Sequence, residues 1–218
     1  MARDRHSRVR LLAVVAVAGQ LGFVASWIAG ALVQPGYSTR GQPVSDLFAR
    51  TADHPWVLWI GLAVLVPSYL STATILRRTL GPPGRAAAAL FGLAVPLVIV
   101  VLVSPLDCME KASAACAARI EAGNVSAAHD RHGVAAVALQ LTLIATPFAV
   151  ATAVRGTRLL PWALGFGAVG AATILAVAAT DGDGYGIAQR GTFGFVNVWV
   201  IVVAGAALAG IRGPAART

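Results

Sequence analysis

Residues 126–154 read SAAHDRHGVAAVALQLTLIATPFAVATAV. Two histidines, an aspartate and an arginine fall between positions 129 and 132, and from Gly133 to Val154 there is no charged side chain. About 20 apolar residues are what a helix needs to cross a hydrocarbon core roughly 30 Å thick. Five other stretches share this character, at about 11–33, 56–76, 86–106, 160–180 and 193–211, and none carries Asp, Glu, Lys, Arg or His in its central part. The chain is 57% hydrophobic and 12% charged, with a mean hydropathy of +0.75, above the roughly 45–50% apolar content of globular domains. The sequence predicts an all-α fold: a polytopic membrane protein, a six-transmembrane-helix bundle, with residues 1–218 as one transmembrane domain.

The charges predict its orientation, because Lys and Arg in short loops mark the cytoplasmic side. Eleven of the 17 basic residues lie in the N-terminus, the loop after span 2, the loop after span 4 and the C-terminal tail, with Asp4 as their only acid. That face carries +10 and the opposite face −2, so both termini are expected to be cytoplasmic. The first apolar run, about 23 residues after a basic start, exceeds the 7–15 of a signal-peptide core and is expected to be a retained span. Abundant Ala, Gly, Val and Arg beside a single Lys suggest a GC-rich bacterial genome, hence a bacterial plasma membrane and no glycan at Asn124-Val125-Ser126. The basic isoelectric point is explained by topology and anionic lipid. Membrane lipids are the expected partners and nucleic acid is not.

Pro67, Pro96 and Pro147 fall inside spans and are expected to kink them, with Ser68, Ser71 or Thr146 serving the freed carbonyls. Gly165, Gly167 and Gly170 suggest close helix contact along span 5. Uncharged span centres disfavour an ion-coupled transporter, though Gln20, Gln140, Ser71 and Thr142 could still line a neutral path. All four histidines lie outside the spans or at their rims, so no haem can be held between helices.

The chemistry-bearing residues gather in the other loops. Val44–Phe48 is expected to form a short helix on the membrane surface. Cys108 and Cys116 suggest a disulfide on an oxidising face. A continuous helix would hold them about 12 Å apart, so either the chain bends between them or they are free thiols. His129 and His132 share a helix face and can ligate zinc with Asp107 or Asp46, form a metal-free polar site, or simply cap a helix. The 180–191 loop lacks the oxygen ligands of a calcium site, and its glycines suggest a flexible turn. Arg190 either pairs with Asp107 or offers its fork to a lipid phosphate or carboxylate.

Taken together, GYSTRGQPVSDL (36–47), SPLD (104–107), a histidine leading into span 4 and QRG (189–191) resemble a prokaryotic six-span membrane family, domain of unknown function 998. The matching positions are Tyr37, Ser38, Ser45, Asp46, Asp107, His132 and Arg190. The resemblance implies six helices and no particular reaction. The long loop after span 3, with its cysteine pair, departs from the family pattern.

Ser45, Asp46, Asp107, His132 and Arg190 come from three loops at one membrane depth and are the candidate catalytic set around an outward-facing polar pocket. His129, His132 and Asp107 are the candidate metal ligands. A Ser/His/Asp inventory suits acyl transfer only if geometry assembles it. Two readings stand level: a pocket that binds or processes a lipid or envelope precursor, and a non-enzymatic membrane assembly or binding protein. A small transporter ranks behind both, and neither substrate nor oligomeric state follows from the residues.

Overall fold

The computed structural model describes residues 2–180 and 182–210, with side chains from Ser7 onward. Asp181, Arg212 and Arg217 lie outside the described residues, as do the side chains of Arg3, Asp4, Arg5 and His6. The described chain is helical: α1 (Ala2–Val33), α2 (Pro55–Leu80), α3 (Arg85–Leu102), a short α4 (Ala114–Glu121), α5 (Ala127–Ala153), α6 (Leu160–Ala179) and α7 (Tyr185–Leu208). All but α4 belong to segments long and apolar enough to cross a membrane.

The six spans close a ring in chain order. Each packs on the next (α1 on α2, α2 on α3, α3 on α5, α5 on α6, α6 on α7), and α7 returns to α1, while α2 also reaches α7. Alternating direction places the 81–84 and 154–159 connections on the face that holds the start of α1. Segments 34–54, 103–126 and 180–184 gather on the opposite face, here called the disulfide face.

Local chemistry sets the helix ends. Helix α2 opens on Pro55, whose missing N–H costs nothing in a first turn. It closes with Arg77 and Arg78 in the last turn and Gly81 at φ 63°, where cations suit the helix dipole and glycine tolerates the left-handed backbone. Helix α5 starts six residues before the apolar run does, because Ser126 caps it by accepting the His129 N–H at 3.3 Å. His129 and His132 therefore sit inside its first turns.

Pro147 leaves the Leu143 carbonyl without an N–H. The Thr146 hydroxyl donates to that carbonyl at 2.6 Å, and the Trp199 indole N–H of α7 donates to Thr146 at 2.8 Å. Ser68 acts differently from expectation. It donates to the Ala16 carbonyl of α1 at 2.8 Å and accepts from Gln20 at 2.7 Å, tying two helices together.

That tie marks a close crossing of α1 and α2. A Cβ at Gly19 would lie 2.6 Å from Ser68 Cβ, and one at Gly61 would lie 2.6 Å from Ser26 Cβ. Gly61→Val is expected to pry the two helices apart and cost about 1–3 kcal/mol as overpacking does. The check is a thermal melt of the detergent-solubilised protein. Gly191→Val, with nothing within 4 Å of its added Cβ, should cost less. On α6, Gly167 and Gly170 seat the rings of Phe148 and Phe195, whereas Gly165 faces open space. The expected contact stripe is thus a pair of aromatic seats.

Two expectations are corrected. Val44–Phe48 forms a 3-10 turn, but it does not lie on a membrane surface: Val44, Asp46, Leu47 and Phe48 are buried against the bundle. Three of its five side chains are large and apolar, and the top of the ring offers them more cover than a lipid interface. Residues 182–191, whose glycines suggest a turn, are helical. After a 3-10 turn at Gly182–Gly184, α7 begins at Tyr185 and runs through Arg190, the Gly186 site being too crowded for a side chain.

Candidate functional site

A cavity of about 270 Å³ descends from the disulfide face into the ring, between α2, α5 and α7. Its rim includes Ser45, Glu110, His129, His132 and Gln189, and its walls are apolar, among them Phe23, Leu62, Leu65, Val101 and Leu139. Exposed Gly133 and Val137 of α5 also border it. Of the five candidate catalytic residues, Ser45 and His132 line this cavity, and Asp46, Asp107 and Arg190 do not.

His132, 4% exposed, donates from Nδ1 to the Ser104 carbonyl at 2.8 Å and lies against the Phe48 ring. That bond assigns its tautomer. His129 accepts the Asp107 N–H on Nδ1 at 3.3 Å. The two imidazoles thus share a helix face, as their spacing requires, and each is held by the end of the neighbouring span.

The three other residues hold loops. Asp46, fully buried, accepts the N–H groups of Glu110 at 3.0 Å and Lys111 at 3.3 Å, and the Gln42 amide at 3.4 Å. Burial pushes its pKa up to about 6 despite these donors. Asp107 accepts the Ser126 N–H at 2.5 Å and hydroxyl at 2.7 Å, with Arg50 at 3.6 Å and Arg119 at 4.0 Å. The Ser126 hydrogen bonds, followed by Arg50, hold its carboxyl below the usual range.

Arg190 corrects the sequence reading most clearly. It neither pairs with Asp107 nor presents a free fork. Its guanidinium donates to the carbonyls of Thr39 at 2.7 Å, Gln42 at 2.9 Å and Gly186 at 2.9 Å, and to the Tyr37 hydroxyl. It also stands over the rings of Trp27 and Tyr37, 5.5 and 5.6 Å from their centroids. Burial raises the Tyr37 hydroxyl pKa, opposed by this guanidinium. Tyr37 in turn donates to the Pro43 carbonyl at 2.8 Å. Charge complementarity suggested an acid for Arg190, but the carbonyls of the folded 37–43 loop lie nearer.

Cys108 and Cys116 are bonded, with Cα atoms 6.0 Å apart. The chain bends between them, because α4 begins only at Ala114. The zinc set is not assembled: among the described residues no group of three His, Cys, Asp or Glu is placed to hold a metal. Asp107 turns its oxygens to Ser126 and two arginines, and each histidine has one ring nitrogen engaged by backbone. These residues do not fit the ion.

A family model described as "Protein of unknown function (DUF998)" matches residues 17–206. The chain is a DUF998 protein. No curated protein and no solved structure matches it. In this DUF998 chain most motif positions are loop fastenings: Tyr37 with Arg190, Ser38 with Gln42, Asp46 with the disulfide loop, Asp107 with the cap of α5. Sequence reasoning passed over Ser126, Arg50, Arg119 and Gln189. Ser126 was recoverable as a helix cap three residues before His129. The others became partners only through tertiary contact, Gln189 by accepting the Val44 N–H at 2.7 Å.

Proposed function

We propose that this DUF998 protein lies in a bacterial plasma membrane with both termini cytoplasmic, and that its cavity opens on the extracytoplasmic side to bind an amphiphile. The apolar chain occupies the walls and the headgroup stays at the rim, beside Ser45, His129, His132 and Gln189. The observation that carries the reading is a cavity with aliphatic and aromatic walls and a polar rim on the disulfide face. Ligand sites are commonly of this kind, apolar with a few placed polar groups.

Binding is favoured over catalysis. The acid that a Ser/His/Asp relay needs is held by Ser126, Arg50 and Arg119, and Asp46 is enclosed by backbone donors. Ser45 and His132 stay at the rim without either acid. The disulfide and the arginine distribution both support the orientation.

Mass spectrometry of lipid retained by protein purified in mild detergent is the test. Wild type is expected to carry lipid, and Ala136→Trp, which fills the cavity wall, is expected to lose it while still melting cooperatively. Equal lipid in both proteins, or none in wild type, overturns the reading.

A further inference from the structure

The lower end of the cavity differs from its walls. Tyr69 of α2, Gln140 of α5 and Asn197 of α7 all line it. Counted from the disulfide-face ends of their helices at 1.5 Å per residue, they lie at one depth, about 20 Å down. They converge near mid-membrane from three different helices.

None of these side chains has a hydrogen-bond partner among the described residues. Tyr69 is 3% and Asn197 7% exposed, and neither makes a hydrogen bond to the described residues. The Gln140 Oε1 is buried without a partner. Elsewhere Thr72 is matched to Ser68, Thr146 to Leu143 and Trp199 to Thr146, while the other buried atoms without a partner, Gln20 Oε1, Trp27 Nε1, Ser104 Oγ and Arg190 Nε, belong to residues that do not line the cavity. An unpaired buried polar group costs about 1–3 kcal/mol, and these three side chains are the ones set together around a single space. A phenol donor, a carboxamide with both donor and acceptor, and a bare carbonyl oxygen suit an uncharged group that both gives and takes a hydrogen bond. They do not suit an ion, since among the described residues no charged side chain lines the cavity at that depth.

We propose that Tyr69, Gln140 and Asn197 form a second recognition site, for an uncharged oxygen function, above all a hydroxyl, carried far along the apolar chain of the ligand. The inference rests on the amphiphile reading and narrows its ligand class to chains with a polar group remote from the head. A plain alkyl chain leaves all three groups unpaired. A hydroxyl at the right distance satisfies them while the charged head remains at the rim.

The test compares binding of 16-hydroxyhexadecanoate and hexadecanoate to the full-length protein in nanodiscs. The two probes share a carboxylate head too costly to bury at the floor, so only their far ends differ there. Wild type is expected to prefer the hydroxylated chain by at least about tenfold, the lower part of the range for satisfying a buried polar group. Asn197→Leu and Tyr69→Phe are each expected to shrink that preference while keeping or improving hexadecanoate affinity, an outcome general unfolding does not produce. Equal affinities in wild type overturn the second site. If lipid still co-purifies in an Ala136-sensitive manner, only the polar floor has failed. If neither probe binds and no lipid co-purifies, the amphiphile reading has failed with it.

Discussion

Arg190→Ala is expected to lower stability by at least about 3 kcal/mol, more than the helix-crossing substitution at Gly61. One guanidinium donates to the carbonyls of Thr39, Gln42 and Gly186 and to the Tyr37 hydroxyl. Hydrogen bonds to charged groups are each worth about 1.5–3 kcal/mol net, and some are regained from water once the loop lifts. The loss is concentrated at one place, where residues 37–43 are fastened to α7. Arg190→Lys should recover little, because an ammonium lacks the planar fork that serves several carbonyls at once and spans the Trp27 and Tyr37 rings. Thermal melts in detergent, with proteolysis of the 34–54 loop as a local readout, separate the cases. A lysine variant as stable as wild type would mean that charge alone holds the loop.

The same residue shows where the sequence was legible and where it was not. Membrane helices are written locally, as runs of apolar residues whose length alone is diagnostic; α2, α3 and α6 begin within one residue of the apolar runs, whereas α1, α5 and α7 begin six to nine residues earlier. The start of α7 is one of these. Gly182, Gly184 and Gly186 look like a loop, yet Gly186 is where a helix passes under the Gln42 and Thr39 carbonyls with no room for a Cβ. The functional residues failed in a related way. Asp46, Asp107 and Arg190 are candidates because they match the family's motif positions and fall in loops at one membrane depth, where a charged group needs partners. That need is equally well met by loop backbone, and the difference lies in tertiary contacts 148 and 64 residues apart, such as Arg190 to Gln42 and Glu110 to Asp46. Tyr69 and Asn197 escaped notice for the opposite reason, and Gln140 stood out only as one of four neutral groups able to line a path. All three are neutral and spaced through three spans, and only packing reveals that they face one cavity.

Asp46 should make the disulfide-face loops respond to pH. Its carboxyl ionises near pH 6 in the folded protein, against an ordinary value of 3.8. The folded state therefore holds its proton more tightly than the unfolded one. Stability falls as pH rises from about 4 to about 6 and levels off above, by an amount on the order of 3 kcal/mol at most. Asp107 has the opposite shift, so its contribution is present above the ordinary value and is lost only at lower pH, outside this window. The melting temperature of wild type is expected to be higher at pH 5 than at pH 7. Asp46→Asn should flatten this component, since an amide oxygen still accepts an N–H but nothing titrates. Asp46→Ala should flatten it too, but with a lower melting temperature throughout, because the N–H groups of Glu110 and Lys111 lose their acceptor at about 1–3 kcal/mol each. Hydrogen exchange at the Glu110 amide reports the same event locally: fast in the alanine variant, slow in the asparagine variant, whose single amide oxygen keeps that acceptor. If the pH 5 to 7 slope survives unchanged in Asp46→Asn, the burial of Asp46 does not govern the proton balance of this face. The disulfide loop would then be held by its remaining contacts, the Met109 N–H donating to the Thr51 hydroxyl at 3.1 Å and the Ser126 hydroxyl donating to Asp107.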